Sequence, residues 1–311
     1  MENSAQASNA ALLDGLSGSP EMVKEAQDTV SEFTRVKMRE EGFWRKVIPP
    51  LQVSDSDLTR DVTNPLPVII VDKEPGSPAA MSIPIGQSPV NEYIRGPRYR
   101  VMFDRTITPG FTIDEMELRT WTMDIRQVLS DNAIKDMLAE EDNKAISVVN
   151  AALGGAAGET VTATGSIQWQ EIAGGLTRDN WMQSLKIMPS TPMHLRPSTA
   201  LVNNVTIYDI LKWGRDEMGG DLAQEVVQQG FIIRQLDGMD LIITIKREYV
   251  PDGSVYFFAE PTKLGKFFML QDATMFIEKK AYMIQYFAYE SYGSAIGNTA
   301  GVARADFVDS E

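Results

Sequence analysis

Ten of the sixteen prolines in this 311-residue chain fall between Pro49 and Pro109. Each removes a backbone donor and fixes φ, so no helix crosses that stretch. The chain there is expected to be extended, with Val68-Ile69-Ile70-Val71 before the turn Lys73-Glu74-Pro75-Gly76-Ser77-Pro78 and Met81-Ser82-Ile83-Pro84-Ile85 after it. Tyr99, Val101 and Phe103 alternate with Arg98, Arg100 and Asp104, the period of two that gives a strand one polar face. Proline confines such strands to sheet edges, and a two-stranded excursion buries too little surface to stand alone. It must lean on something else, another subunit being one candidate. Arg95, Arg98 and Arg100 form the only concentrated basic feature. We read them as intersubunit contacts that pair with an acidic neighbouring subunit, in preference to plain solubility of an edge strand.

On either side of this excursion the pattern mixes helix and strand, an α+β reading. Residues 1 to 19 are small and polar and read as a tail. After Ser19-Pro20-Glu21, Val23, Ala26, Val30 and Phe33 recur at helical spacing up to Gly42. The apolar stripe is narrow, which suits a helix lying on another surface. Residues 112 to 130 fit a capped helix or a strand equally well. A long helix follows Ser130-Asp131, with Ile134, Leu138, Ala145, Val148 and Ala152 on one face and Gly154-Gly155 as its stop. Glu140-Glu141-Asp142 on this helix reads as a solvated acidic patch. A flexible loop over 154 to 165 precedes a helix from Thr177 to Met188, a strand over Thr199-Ala200-Leu201-Val202 and a helix from Asn204 to Trp213. Strands are predicted at Met239 to Ile245, Val255 to Phe258 and Thr274 to Glu278. Tyr282, Tyr286 and Tyr289 fit a helical stripe, while Ile284, Tyr286 and Ala288 fit a strand.

The chemistry available to this chain is narrow. It has no cysteine and one histidine, which excludes thiol nucleophiles, disulfides and zinc-thiolate sites. His194 lies between Pro192 and Pro197 without a partner motif and reads as an ordinary turn residue. There is no P-loop, no G-x-G-x-x-G and no G-x-S-x-G elbow. Asp55-Ser56-Asp57 opens like a calcium loop, but Arg60 takes the glycine position and Leu66 the bidentate glutamate position. We therefore expect no catalytic residues, no metal and no cofactor, and a chain that is not an enzyme. With 43 acidic and 29 basic residues the formal charge is −14, against the basic stripe that nucleic-acid binding needs. No apolar run approaches the ~18 residues of a membrane span, and no signal peptide is evident.

The order of segments resembles the major capsid proteins of tailed bacteriophages, the Hong Kong 97 phage-type fold. Trp121-Thr122-Met123-Asp124-Ile125-Arg126-Gln127-Val128-Leu129-Ser130-Asp131 resembles the family's entry to its spine helix, and Ala133 to Leu153 the spine helix itself, near 131 to 153. Leu236-Asp237-Gly238-Met239-Asp240-Leu241-Ile242-Ile243-Thr244 is similar to the glycine-then-strand segment that closes the axial domain. Phe276-Ile277-Glu278, Phe287-Ala288-Tyr289-Glu290 and Ala300-Gly301-Val302-Ala303 resemble the closing peripheral-domain strands.

The resemblance implies an N-terminal arm over 1–48 and an extended E-loop hairpin over 49–105. A peripheral domain over 106–188 and 255–311 and an axial domain over 189–254 complete it. The arm stripe, Val23, Val30 and Phe33, would dock on a neighbouring subunit, as would the hairpin. Family members form pentamers and hexamers that close into an icosahedral shell around double-stranded DNA, without sequence-specific binding. A portal protein, and in some cases a decoration protein, are the further partners. The chain has no room for a fused scaffolding domain, which implies a separate scaffolding protein. Lys73 is the only lysine on the excursion, and Glu278 to Met283 holds no acceptor asparagine, so the shell contacts are expected to be non-covalent. The implied location is the virion, with assembly in the host cytoplasm and no membrane association. An encapsulin-type nanocompartment shell and a phage tail or connector protein are the alternatives.

Overall fold

The computed structural model describes residues 42–60, 66–73, 82–88, 96–121, 125–154, 168–191, 193–213 and 235–308. The arm stripe of Val23, Val30 and Phe33, the basic residue Arg95, most of the 73–78 turn and the 155–165 loop lie outside them. Three sheets organise the described residues. The first strands are β1 (Leu51–Gln52), β2 (Thr59–Arg60), β3 (Pro67–Asp72), β4 (Arg98–Met102), β5 (Asp104–Ile107) and β6 (Phe111–Asp114). Strands β2, β3 and β4 make a small antiparallel sheet, the base of the proline-rich excursion. Its inner face leans on the same chain: a Cβ on Gly293 would come 2.7 Å from the Met102 carbonyl oxygen, and one on Gly297 2.8 Å from the Tyr99 ring. Only glycine permits approaches that close.

Two long strands, β12 (Gly265–Lys280) and β13 (Met283–Ile296), build the five-stranded sheet, with β1 along one edge and β5 and β6 along the other. The stretch around Tyr286 is therefore strand. Ile284, Tyr286 and Ala288 are buried on one face because β12 supplies a ladder partner for each, and a helix would give that up. Residues 111–120 satisfy both sequence readings in turn. The strand β6 runs to Asp114, whose carboxylate then caps a short helix, α2 (Glu115–Thr120), by accepting from Met116 N. The helix before it, α1, is a single turn (Trp44–Val47).

The long helix α3 (Ile125–Ala152) has 28 residues and at 1.5 Å per residue is about 42 Å long. It begins six residues before the expected Ser130-Asp131 start. Continuing the helix upstream buries Leu129 beside Ala133, Ile134 and Met137. Burying a leucine is worth ~1.5–3 kcal/mol, more than the ~1 kcal/mol of a serine or aspartate cap. The first half of α3 packs on Met275, Ile277, Ile284 and Tyr286 of the β12–β13 hairpin. Its second half, Ala145, Ile146 and Val149, with Leu153 just past its end, packs on a different core with Leu201, Tyr256 and Phe258.

That second core lies on one face of a six-stranded sheet ordered β7 (Trp169–Ala173), β14 (Val302–Val308), β11 (Ser254–Phe258), β8 (Thr199–Asn203), β10 (Met239–Thr244), β9 (Gln235–Leu236). Its other face is covered by α4 (Arg178–Ser184) and α5 (Thr206–Leu211), which bring Trp181 and Ile207. Every residue of β8 and β11 is buried, which explains why both read as unbroken apolar runs. Alternation survives inside the runs: Ala200, Val202, Val255 and Phe257 face the helical side, Leu201, Tyr256 and Phe258 the α3 side. The cap of α5 comes from Asn203, whose Oδ1 accepts from Thr206 N at 2.6 Å. Thr177 caps α4 as its sequence suggests.

The six-stranded sheet draws strands from both sides of the expected limits at 188 and 254. Strands β7, β11 and β14, placed by sequence in the peripheral parts, belong to the same sheet as β8, β9 and β10. β5 runs across the expected hairpin boundary at 105. Phe43, Trp44, Val47 and Ile48, assigned to the arm, are core residues packed with α3 and β11. The physical reason is size: four large apolar side chains in six residues bury better inside a subunit than on a detachable arm.

Candidate assembly elements and a buried charged cluster

The junction of the two halves of α3 is where the charge lies. Glu141 and Asp142 are 1% and 0% exposed, which overturns the reading of Glu140-Glu141-Asp142 as a solvated patch. Buried carboxylates need a cation and hydrogen bonds to stay ionised. Glu141 finds both in Arg45 of α1. Arg45 Nε donates to its Oε1 and Oε2 at 3.1 and 3.0 Å, and Nη2 donates to Oε2 at 2.8 Å. The same Nη2 donates to Glu290 Oε2 of β13 at 3.0 Å, while Nη1 lies 3.9 Å from Asp272 Oδ1 of β12. One guanidinium thus joins the N-terminal turn, the long helix and both long strands. Burial alone would lower the Arg45 pKa, but Glu141 and its neighbours outweigh it and hold the guanidinium charged.

Asp142 is tied separately. Its Oδ1 accepts from Trp44 N at 3.2 Å and its Oδ2 from Lys246 Nζ at 2.5 Å. Burial pushes Asp142 up to about 6 against the pull of Lys246. Trp44 adds an edge-to-face contact on Phe258 and donates from Nε1 to Ser294 Oγ at 3.2 Å. Residues 43–48 are therefore fixed by packing, by ion pairs and by backbone hydrogen bonds at once.

At the far end of the six-stranded sheet, Asp237 holds α4. Arg178 donates in bidentate fashion to both its oxygens at 2.6 Å, and Trp181 Nε1 donates to Oδ2 at 2.8 Å. Burial raises the Asp237 pKa, yet these three bonds leave it below the ordinary carboxylate value. Asp237 sits in the left-handed region (φ 52°) ahead of Gly238, a turn geometry that Asp tolerates.

The predicted contact residues divide. Arg98 and Arg100 project from one face of the small sheet, where β4 alternates sides, beside Ile70 and Met102. Ile70 is 54% and Met102 44% exposed, so the face is basic and apolar together. Arg98 Nε pairs with Asp72 Oδ1 at 2.8 Å across the hairpin, both side chains mostly exposed. Such a pair contributes ~0–1 kcal/mol and is readily exchanged for another carboxylate.

The described residues offer little that could do chemistry. His194 is exposed, its Nδ1 2.9 Å from the Pro189 carbonyl oxygen, at a turn with φ 48°. Asp57, in the segment that opens like a calcium loop, spends its carboxylate on Ser54 N and Oγ. Among the described residues no group of three or more acidic or histidine side chains could hold a metal ion. The carboxylates that do converge are already arranged around a guanidinium. No described helix is long and apolar enough to cross a membrane.

The architecture is shared with solved shell proteins. The chain matches the asymmetric unit of the mature capsid of bacteriophage PhiM1 at TM-score 0.58 and 10% identity, over 86% of this chain and 87% of that one. It matches the capsid of the cyanophage P-SCSP1u at TM-score 0.59 and 8% identity, over 86% and 89%. It matches the virus-like particle from Pyrococcus furiosus at TM-score 0.56 and 12% identity, over 89% and 98%. No protein-family model and no curated sequence relative matches the chain. Its fold is the α+β capsid fold of the Hong Kong 97 phage type, the one its segment order resembles.

Proposed function

We propose that this chain is a major capsid protein, a structural subunit that assembles into pentamers and hexamers and closes an icosahedral shell around packaged phage DNA. The observation that carries the reading is the capsid fold itself, matched over 85–89% of the chain by several phage, transfer-particle and virus-like-particle shells. The small sheet supports it. Ile70, opposite Arg100, and Met102, two residues beyond it, stand exposed beside two arginines, a composition typical of surfaces that a partner covers. The mechanism is assembly: many contacts, each weak, summed by multivalency into a closed shell. An acidic chain suits a wall that must not grip DNA, since like charges keep the packaged polymer free to move. The role is structural, not enzymatic. A separate scaffolding protein and a portal protein are the expected partners, with the virion as destination.

The sequence cluster Arg95, Arg98 and Arg100 supplies the contact to test first. Charge reversal of all three to Glu should lower the yield of assembled particles and flatten its salt dependence, while the isolated subunit still melts cooperatively. Sedimentation at several ionic strengths measures both. Unchanged yield and salt response would remove these arginines from the interface. Electron microscopy of the protein expressed alone and with a candidate scaffolding protein tests the function as a whole. Rings or closed shells support it, and a nuclease-protected DNA content separates a phage head from a cargo-filled nanocompartment.

A further inference from the structure

Glu290 is fully buried on β13, and one of its oxygens has no counterpart. Oε2 accepts from Arg45, but Oε1 makes no hydrogen bond. The groups around it come from every neighbouring element. Arg45 of α1, Glu141 of α3 and Asp272 of β12 act on it directly; Tyr292 of β13 stands beside it with Glu140 and Lys144 of α3 about that ring, and Asp142 adjoins Glu141. Lys246, beyond β10, is already committed to Asp142. Were Glu290 ionised, the two fully buried carboxylates Glu141 and Glu290 would share one guanidinium, leaving one negative charge in excess away from water. Such an excess is strongly unfavourable unless a proton relieves it. The adjoining strand borders solvent. Thr106 of β5 is the direct cross-strand partner of Glu290, and it lines a cleft of about 360 Å³ with Arg105, Asp136, Glu140 and Lys144.

We propose that Glu290 is a proton-operated clamp. Protonated, it lets Arg45 hold α1, α3 and the β12–β13 hairpin in one block; ionised, it repels Glu141 and Asp272 and loosens the hairpin and the 43–48 turn from the helix. The proposal concerns the single subunit and does not depend on the assembly reading. Burial first, then the Glu141 charge, pushes Glu290 up to about 8, with Arg45 opposing. A carboxyl whose folded-state pKa is raised contributes stability below its unfolded value, and that contribution is lost as pH rises through the folded value. Asp142, raised to about 6, behaves alike over a lower window. Between about pH 6 and 8 Glu290 is then the group whose loss shows, at up to tenfold in the folding constant per pH unit.

The test uses the full chain, wild type and Glu290→Gln, in denaturant melts across that window. The wild-type folding constant should fall toward tenfold per pH unit and level off above, whereas Glu290→Gln, neutral and still able to accept from Arg45, should be flat. Glu141→Gln should move the wild-type fall to lower pH. Hydrogen exchange, corrected for intrinsic rate, should show amides 43–48 losing protection above pH 8 in the wild type alone. In the wild type an infrared band of a protonated carboxyl should also vanish reversibly near the same midpoint, which needs no variant to fold. Identical pH profiles for wild type and Glu290→Gln, or no such band at pH 7, would overturn the clamp.

Discussion

Replacing Arg45 with Met should destabilise the subunit by about 3–5 kcal/mol, the cost of leaving buried charge without its partner. The side chain is 2% exposed and is the only cation within reach of Glu141 Oε2 and Glu290 Oε2 among the described residues. Its loss strands Glu141 in a dry site and removes the guanidinium that touches α3, β12 and β13 at once. At ~2–4 °C per kcal/mol for a chain of this size, the melting temperature should drop by roughly 6–20 °C. Arg45→Lys keeps the charge but not the fork, so it should fall between Met and wild type. Denaturant melts at pH 7 give the comparison directly. A loss below about 1 kcal/mol for Arg45→Met would mean that Glu141 finds another partner or is neutral, and the cluster would not be the junction described above.

Truncation draws the second large effect. Removing residues 1–48 should abolish the cooperative melting transition, while removing 1–41 should leave it. The seven residues between include Phe43, Trp44, Val47 and Ile48, all at most 3% exposed, and Arg45. Deleting a buried tryptophan alone is worth ~3–5 kcal/mol. The five together exceed the ~5–15 kcal/mol that holds a folded domain. That outcome would place the boundary between arm and body near 42 in place of 48. Calorimetry of the two truncations decides it. A cooperative transition in the 49–311 fragment would return the 43–48 turn to the arm.

The sequence disclosed the fold where local patterns and tertiary packing agree. The prolines between 49 and 109 marked an extended edge structure, and β3 and β4 pair there antiparallel, Val71 opposite Tyr99. Thr199 to Val202 and Val255 to Phe258 read as buried strands because both faces of their sheet are covered. The charged cluster was not legible in the same way. Arg45 and Glu141 are 96 residues apart, Arg45 and Glu290 245, and no spacing rule connects them. One signal was present. Glu141 and Asp142 interrupt the apolar face of α3 between Leu138 and Ala145, and an acid on a buried stripe calls for a cation from elsewhere in the chain. Domain limits were hidden for a related reason. The six-stranded sheet gathers β7, β8, β11 and β14 from across more than a hundred residues, and only the ladder register reveals that they are neighbours.

We propose above that copies of this one subunit pack into a closed shell. Cryo-electron microscopy of particles purified after co-expression with a candidate scaffolding protein tests it most directly. We expect closed icosahedral particles with subunits clustered in fives and sixes, each carrying the α3 helix across its two sheets, and with the Ile70 and Met102 face of the small sheet covered by a neighbouring copy. Dispersed monomers at every concentration and ionic strength, or open helical tubes with that face still bare, would contradict the account.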